Sequence, residues 1–342
     1  MSQRLQIAVF GGGHLGTIHA RLLKQVPDAE LVAIVEPSRQ RCEELKSEFD
    51  CEMVTDVEGY AAQAEIDGAV IAAPTTLHHA LGTVLLQRGV HCLIEKPLAP
   101  TRSQCKELVA AARRSSCILQ VGHVERFNPA WTTFCDRAGE PRFIDAAREG
   151  TLTFRSMDAG VVLDLMIHDI DLVLSLVKSP VVSVDSSGFR WTGDSEDIAL
   201  ATLRFANGCT ARLTASRVSS APQRRMTVFG EDWFSTIDFG ARTCEVVNGP
   251  RHADWQTRHY TPEDRKHLME NLYSEVLSKR DLQVPDGNPI LDELSDFVTS
   301  IETKTSPIVT GRDGQLAVEI ASHIIRGIEG NPPSGRTYRR AG

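Results

Sequence analysis

Features that mark several large classes of protein are missing from this sequence of 342 residues. No apolar stretch approaches the ~20 residues that a membrane-spanning helix requires. Lysine and arginine number 37 against 45 acidic residues, so the net charge of −8 provides no general basic field for nucleic acid. The first strand is expected from residue 5, which leaves no room for a secretory signal peptide. We therefore expect a cytoplasmic protein that binds neither membrane nor nucleic acid.

Paired cysteines are also missing. None of the eight cysteines forms a C-x-x-C pair, and several fall in apolar stretches. This argues against both a disulfide framework and a zinc site. Hydrophobic residues make up 42% of the chain and charged residues 24%, the balance of a soluble globular protein long enough for two domains.

The stretch that organises the chain is residues 5–20, LQIAVFGGGHLGTIHA. It predicts a buried parallel strand, then Gly11-x-Gly13-x-x-Gly16, then a helix. Gly11 permits a tight turn, Gly13 lets the backbone approach a pyrophosphate, and Gly16 allows close packing of helix and strand. The pyrophosphate would lie at the helix N-terminus, where free N–H groups and the helix dipole favour an anion.

An acidic residue supports this interpretation over an ordinary strand–loop–helix connection. The second predicted strand ends in Glu36, twenty residues after Gly16. A carboxylate there accepts hydrogen bonds from the adenosine ribose and repels a 2′-phosphate, which favours NAD over NADP. Ser38 and Arg39 lie just beyond and would soften that preference.

Strand and helix signals alternate through the first part of the chain, which predicts a doubly wound parallel sheet. The fourth strand ends at Ala73-Pro74-Thr75, at the carboxyl edge where ligands bind in such sheets. The fifth strand runs into Glu95-Lys96-Pro97 at the same edge. We predict an α/β chain whose residues 1–123 form a Rossmann domain.

The pattern changes after residue 123. Strand signals dominate from Val181 to Val247, and Asn207-Gly208 is a strong hairpin signal. Two helices then end the chain. We predict that residues 124–342 form an α+β domain with an open-faced, mainly antiparallel sheet.

Charged side chains in apolar surroundings are the candidate catalytic residues. Lys96 is placed to stabilise a developing alkoxide, although these residues alone favour a strand end that is solvated by chance. The predicted helix over 160–177 is apolar on nearly every face, yet it carries Asp164 and His168 four residues apart. A carboxylate there would orient the imidazole for proton transfer, and a purely structural pair is the alternative. No third ligand lies at metal-binding spacing, so no metal is predicted.

Two further stretches contain candidate ligand-binding residues. Arg126 and Asn128 lie between the predicted domains, where they would meet a ligand in the cleft or form interdomain salt bridges. Arg155 lies in a polar loop that suits a phosphate or a sugar hydroxyl.

These residues together resemble the Gfo/Idh/MocA oxidoreductase family. The resemblance rests on the glycine motif, on Glu95-Lys96-Pro97 and on Asp164-x-x-x-His168 followed by Asp171. It implies NAD as cofactor, a Lys96–Pro97 bond that is often cis, and a C-terminal sheet that joins subunits into a homodimer or homotetramer. It also assigns catalysis to Lys96, Asp164 and His168.

The stretches VGHVERFNPA and DLMIHDIDLVLSLV resemble a nucleotide-sugar branch of that family. This implies oxidation of the 3-hydroxyl of UDP-N-acetylglucosamine to a 3-keto sugar, on a route to the diamino sugar of some lipid A. His168 would take the hydroxyl proton and Lys96 would polarise the oxygen, although the two could exchange protons. An inositol or free-sugar dehydrogenase and a non-catalytic NAD-binding regulator are the alternatives.

The resemblance and the motifs give two sets of binding residues. The cofactor set is Gly11, Gly13, His14, Leu15, Gly16, Glu36, Ala73, Pro74, Thr75, His78, Glu95, Lys96 and Arg126. The substrate set is Lys96, Arg126, Asn128, Arg155, Asp164 and His168.

Overall fold

A parallel sheet of six strands forms the first half of the protein. The computed structural model describes residues 4–153, 159–249, 260–273 and 277–330, so the predicted binding residue Arg155 lies outside the described residues. The strand order is β3-β2-β1-β4-β5-β6, with β1 (Leu5–Phe10), β2 (Ala29–Val35), β3 (Glu52–Val54), β4 (Gly68–Ile71), β5 (His91–Glu95) and β6 (Leu119–Gly122). The order reverses between β1 and β4, which opens a crevice at the carboxyl ends of the strands.

Helices connect these strands in the alternation that the sequence predicts. They are α1 (His14–Leu23), α2 (Arg39–Lys46), α3 (Val57–Gln63), α4 (Thr75–Gln87) and α5 (Arg102–Arg114). Side-chain oxygens of Ser38, Asp56 and Thr101 cap α2, α3 and α5 by accepting from backbone N–H groups of the first turn. Gly13 holds the corresponding position before α1 and has no side chain to cap it. The N-terminus of α1 therefore keeps its free N–H groups for a ligand.

Eight strands form the second sheet, in the order β14-β13-β12-β11-β7-β10-β9-β8. Their bounds are β7 (Phe143–Glu149), β8 (Val181–Phe189), β9 (Ile198–Phe205), β10 (Thr210–Ser216), β11 (Gln223–Phe229), β12 (Trp233–Asp238), β13 (Thr243–Asn248) and β14 (Ser278–Leu282). Only β7 and β10 pair in parallel, so the prediction of a mainly antiparallel sheet is confirmed. The predicted hairpin joins β9 to β10, with Gly208 at a φ of +86°.

The segment between the sheets supplies one wall of the crevice. A 3-10 turn (Val124–Phe127) and α6 (Pro129–Cys135) follow the first sheet, and a π-helical turn (Val162–Met166) leads into α7 (Ile167–Val177). The sequence predicted one regular helix over 160–177, so the π-helical turn is a departure from it. The Lys96 ammonium donates to the carbonyl oxygen of Asp164, within this turn, at 2.7 Å.

The last three helices of the described residues are α8 (Pro262–Asn271), α9 (Pro289–Thr303) and α10 (Gly311–Gly330). Of these, α9 and α10 return to the first half of the chain. Phe297 and Ile301 of α9 pack beneath β4, and the backbone N–H of Val121 in β6 donates to Val309 at 3.1 Å. The sequence analysis predicted two domains that divide at residue 123, and it did not anticipate that α9 packs against the first sheet. No helix in the described ranges combines the length and apolar character that crossing a bilayer requires.

Candidate active site

The glycine loop after β1 leaves an open surface at the N-terminus of α1. Gly11 has a φ of +107°, and a Cβ there would lie 2.6 Å from the carbonyl oxygen of Ala72. A Cβ on Gly16 would overlap the carbonyl of Gly11. At Gly13 no described atom lies within 4 Å of a built Cβ. The conformation of Gly11 and the close packing at Gly16 agree with the motif, and the space above Gly13 fits a pyrophosphate against the free N–H groups.

Glu36 borders this loop as predicted. Its carboxylate accepts hydrogen bonds from the backbone N–H of Gly12 at 2.8 Å and of Ser38 at 3.0 Å. Arg41, which the sequence did not single out, donates to the carbonyl oxygen of Gly12 at 2.8 Å and pairs with Glu44. An acidic side chain is therefore held at the end of β2, where the adenosine ribose of a dinucleotide lies in this fold.

The other predicted cofactor residues lie around the same edge. His14 and Leu15 are exposed at the start of α1, and Ala73, Pro74 and Thr75 lead from β4 into α4. His78 is buried, with Nε2 2.8 Å from the carbonyl oxygen of Ala73 and Nδ1 3.0 Å from that of Pro97. Burial lowers the pKa of His78. This imidazole links the loops that follow β4 and β5.

Glu95 belongs to a buried cluster beneath the crevice. Its Oε1 lies 2.7 Å from Nε2 of His19, and its Oε2 accepts from the backbone N–H of Lys96 at 3.2 Å. Burial alone would raise the pKa of Glu95, but the hydrogen bond and charge of His19 lower it. Glu293 of α9 is fully buried beside them, and burial together with the Glu95 charge raises its pKa well above the ordinary value.

The same three residues are the candidate metal ligands of the described chain. His19, Glu95 and Glu293 each offer one ligand atom, all within 4.8 Å of one another. The short contact between His19 and Glu95 is a hydrogen bond, and both carboxylate oxygens of Glu293 are buried without a hydrogen-bond partner among the described residues. We interpret the hydrogen bond between His19 and Glu95 as the contact that fixes the end of β5.

Lys96 and Asp164 meet across the crevice. The Lys96–Pro97 bond is cis, as the family resemblance implies. The Lys96 ammonium donates to the carbonyl oxygen of Asp164 at 2.7 Å and to its Oδ1 at 3.3 Å. This places the predicted catalytic lysine against the π-helical turn that carries the predicted catalytic aspartate.

His168 lies one turn further along, in the first turn of α7. Its Nδ1 is buried and has no hydrogen-bond partner among the described residues, so Asp164 does not orient the imidazole as the sequence suggested. The extra residue in the π-helical turn removes the four-residue alignment on which that expectation depended. Burial, followed by the charges of Lys96 and Arg148, holds the pKa of His168 well below 6.5. The imidazole is therefore neutral at neutral pH and able to accept a proton.

A buried ionic cluster supports this part of the site. Arg148 of β7 donates to Asp169 at 2.8 and 3.1 Å and to Glu125 at 2.7 Å. Burial opposes the charge of Arg148, but the two carboxylates raise its pKa, while burial raises that of Asp169. Asp169 follows His168 directly, so the cluster fixes the start of α7 against the second sheet.

Two of the predicted substrate residues have hydrogen-bond partners within the protein. Arg126 donates to Asp171 at 2.7 Å, and its guanidinium lies 3.9 Å from Asp313. Asn128 caps α6 and donates to Glu125 at 2.9 Å and to the carbonyl oxygen of Phe239 at 3.2 Å. Neither residue lines the cavity that contains Lys96 and His168.

That cavity has a volume of about 220 Å³ and lies between the glycine loop, the end of β5, α7 and the second sheet. Its lining consists of Leu15, Glu95, Lys96, Gly122, Val124, Glu125, Arg148, Leu165, His168, Arg224 and Ile290. The sequence analysis missed Arg148 and Arg224. Arg148 lies on the same face of β7 as the buried Ala146, and Arg224 lies on the same face of β11 as the buried Met226. A charged residue where the strand alternation predicts a buried apolar one was the signal that the sequence offered.

Comparison with known proteins identifies relatives of both halves of the chain. Residues 5–123 match the family profile of an "Oxidoreductase family, NAD-binding Rossmann fold", and residues 130–233 match the GFO/IDH/MocA C-terminal domain. UDP-N-acetylglucosamine 3-dehydrogenase from Acidithiobacillus ferrooxidans is 35% identical over 71% of this chain and 77% of its own length. A solved structure of that enzyme has a TM-score of 0.84, with 28% identity, and covers 96% of this chain and 99% of its own.

An inositol dehydrogenase also matches along the whole length. The scyllo-inositol 2-dehydrogenase (NAD(+)) of Bacillus subtilis is 25% identical over 100% of this chain and 99% of its own length. The cavity, the glycine loop and both sheets thus occur in a chain whose relatives act on different polyhydroxylated substrates.

Proposed function

Because the chain belongs to the Gfo/Idh/MocA family of NAD-binding oxidoreductases, we propose that it oxidises a hydroxyl of a nucleotide sugar, the 3-hydroxyl of UDP-N-acetylglucosamine. The observation that carries the proposal is the cavity that brings Lys96 and His168 together beside the start of α1. The relative with 35% identity supports the choice of substrate. The product would be the 3-keto sugar, on a route to the diamino sugar of some lipid A.

The cofactor supplies the acceptor for the hydride that leaves the substrate carbon. The open space above Gly13, the N-terminus of α1 and the carboxylate of Glu36 would hold it, with Ala73, Pro74, Thr75 and His78 forming the next edge. NAD is favoured over NADP because Glu36 is held at the end of β2 by two backbone N–H groups.

His168 is the proposed general base. Its imidazole is neutral because burial and nearby cations lower its pKa, so it takes the hydroxyl proton as the carbon–oxygen double bond forms. The Lys96 ammonium stabilises the developing alkoxide. Asp164 positions that ammonium through its carbonyl and carboxylate oxygens, in place of orienting the imidazole.

Incubation of the protein with NAD and separate sugars tests the proposal. The panel contains UDP-N-acetylglucosamine, UDP-glucose, N-acetylglucosamine, and myo- and scyllo-inositol, and NADH formation is followed by absorbance. Reduction of the product with borodeuteride and mass spectrometry then locates the ketone. Deuterium at carbon 3 of the UDP-sugar supports the proposal. Turnover of inositols alone would replace it with the inositol dehydrogenase that the full-length relative suggests.

The second sheet is the proposed subunit interface of a homodimer or homotetramer. One face packs against α7 and α10, and the other exposes apolar side chains that include Leu200, Phe143 and Phe229. Phe143 and Phe229 contact each other across β7 and β11, with ring centroids 6.1 Å apart. An apolar face of this kind favours contact with a second copy. Sedimentation at micromolar concentration should show an oligomer, and a monomer would contradict this assignment.

A further inference from the structure

Two arginines lie side by side where the second sheet faces the cavity. Arg224 of β11 pairs directly with Arg148 of β7 in the antiparallel register, so the two side chains share one face of the sheet. Both line the cavity together with Lys96 and His168. Like charges directly opposite each other destabilise a sheet. Such a pair needs either local carboxylates or an external anion.

The two arginines differ in what compensates their charge. Arg148 is buried and contacts both Asp169 and Glu125. Arg224 is exposed at the cavity, and no residue of the described ranges forms an ion pair or side-chain hydrogen bond with it. The nearby carboxylates are already engaged: Glu125 and Asp169 by Arg148, Asp164 by Lys96, and Glu95 by His19.

The charge of Arg224 nevertheless acts on His168, the proposed general base. It contributes, after burial and the charges of Lys96, Arg148 and His123, to the low pKa of His168. Its neighbour Arg225 pairs with Ala147 and, by the strand alternation, lies on the opposite face of the sheet. β11 therefore presents one uncompensated cation to the cavity and a second to the open face.

We infer that Arg224 binds a phosphate of the substrate and selects nucleotide-diphosphate sugars over neutral sugars and inositols. The inference rests on the proposed function, and it names the residue that binds the diphosphate, which is the part of the substrate remote from the reacting hydroxyl. A guanidinium matches phosphate oxygens with paired N–H donors, and its charge complements the diphosphate. A neutral polyol offers no such partner.

The test compares Arg224→Gln with the matched control Arg225→Gln, which removes the adjacent cation on the other face. With UDP-N-acetylglucosamine and saturating NAD, Arg224→Gln should raise KM by roughly 10- to 100-fold while kcat changes by only a few-fold. Arg225→Gln should leave both constants near wild type. Binding of UDP, measured by calorimetry with NAD saturating so that the cofactor site is filled, should weaken in Arg224→Gln alone.

The outcomes separate this inference from the proposed function. Equal UDP binding by wild type and Arg224→Gln overturns the inference. The proposed function, turnover of the UDP-sugar, would still stand in that case. A loss of kcat with unchanged KM also overturns it, because the residue would then act on the chemical step. UDP binding that depends on Arg224, without turnover of any UDP-sugar, supports the anion site and overturns the proposed function. A wild-type protein that neither binds UDP nor oxidises a UDP-sugar overturns both.

Discussion

The two walls of the cavity are built on different physical principles. The cofactor wall is main chain: glycines at the end of β1, a helix N-terminus and the loops that follow β4 and β5. The wall opposite consists of side chains from the π-helical turn, α7 and two strands of the second sheet, and the two strands contribute arginines. The first wall offers the cofactor backbone N–H groups, which almost every residue possesses. The second depends on which particular side chains the tertiary structure brings together.

The difference also concerns how each wall is held in place. Gly11 and Gly16 permit backbone contacts within a short stretch of sequence. Arg148, Asp169 and Glu125 come from distant positions and are all buried. Buried charges are costly unless they are paired, so the second wall holds its geometry only while each partner is present. Changes on the two walls should therefore separate cofactor binding from turnover and folding.

His168→Asn should have the largest effect. Turnover should fall by ~10²–10⁴-fold, the usual contribution of a positioned general base, while NAD binding stays near wild type. NAD titration and steady-state kinetics measure the two quantities. A thermal melt shows whether the variant folds. Unchanged turnover with saturating substrate would refute the assignment and transfer the proton step to Lys96.

The pH profile sharpens the same prediction. Because burial and Lys96 hold the pKa of His168 well below 6.5, the acid limb of wild-type kcat/KM should lie below that value. The limb should disappear in His168→Asn. Its persistence in the variant would show that another group titrates there.

Arg148→Met should destabilise the fold by about 3–5 kcal/mol, because it leaves Asp169 and Glu125 buried without their partner. Arg212→Met is the matched control in the same sheet: Arg212 pairs with Asp145 at the surface, at 2.7 Å. An exposed pair of this kind contributes less than about 1 kcal/mol. Urea unfolding of both variants gives the comparison, and equal losses would mean that the buried cluster does not hold the second wall.

Glu36→Ala should weaken NAD binding by roughly 10-fold, because the acceptor for the ribose hydroxyls is lost. It should also reduce the difference in affinity between NAD and NADP, because the charge that repels the 2′-phosphate is lost. Glu36→Gln keeps one acceptor oxygen, which can accept from Gly12 or from Ser38, and should reduce the difference in affinity between NAD and NADP with a smaller loss of NAD affinity. Fluorescence titration with both cofactors measures this. An equal loss for NAD and NADP would show that Glu36 supports the loop and does not select the cofactor.

Glu293→Gln should change the free energy of unfolding by an amount that depends on pH. The folded chain keeps a proton on Glu293 that the unfolded chain releases above its ordinary pKa of 4.5, so wild-type stability falls as pH rises through that window. Glutamine has no proton to retain. The stability of the variant relative to wild type should therefore grow by about 1 kcal/mol per pH unit between about pH 5 and pH 7. Glu302→Gln, exposed on the same helix, should show no such trend.

Local signals were sufficient for the first sheet. Its strands, its helices and the glycine loop follow from short-range patterns, and the structure confirms them. The hairpin at Asn207-Gly208 and the mainly antiparallel second sheet follow in the same way. The roles of Lys96, Asp164 and His168 came from resemblance to a family and remain predictions about this chain. The structure adds that all three lie on the borders of one crevice.

Other features depend on contacts between distant parts of the chain. Arg126 and Asn128 were predicted to bind ligands, yet Asp171, Glu125 and the carbonyl oxygen of Phe239 are their partners. Arg224 gave no signal apart from its strand register, because nothing in the local sequence states which face of β11 meets the cavity. The pairing of β11 with β7 determines that.

The sequence by itself determined the parts whose physics is local: a glycine where φ is positive, free N–H groups at a helix N-terminus, and an acid at the end of β2. The tertiary structure alone decided which charges meet. Lys96 donates to Asp164, and among the described residues Arg148 forms ion pairs with two carboxylates whereas Arg224 forms none. The physical reason is that backbone conformation depends on neighbouring residues, whereas the energy of a buried charge depends on whatever the fold places within a few ångströms of it.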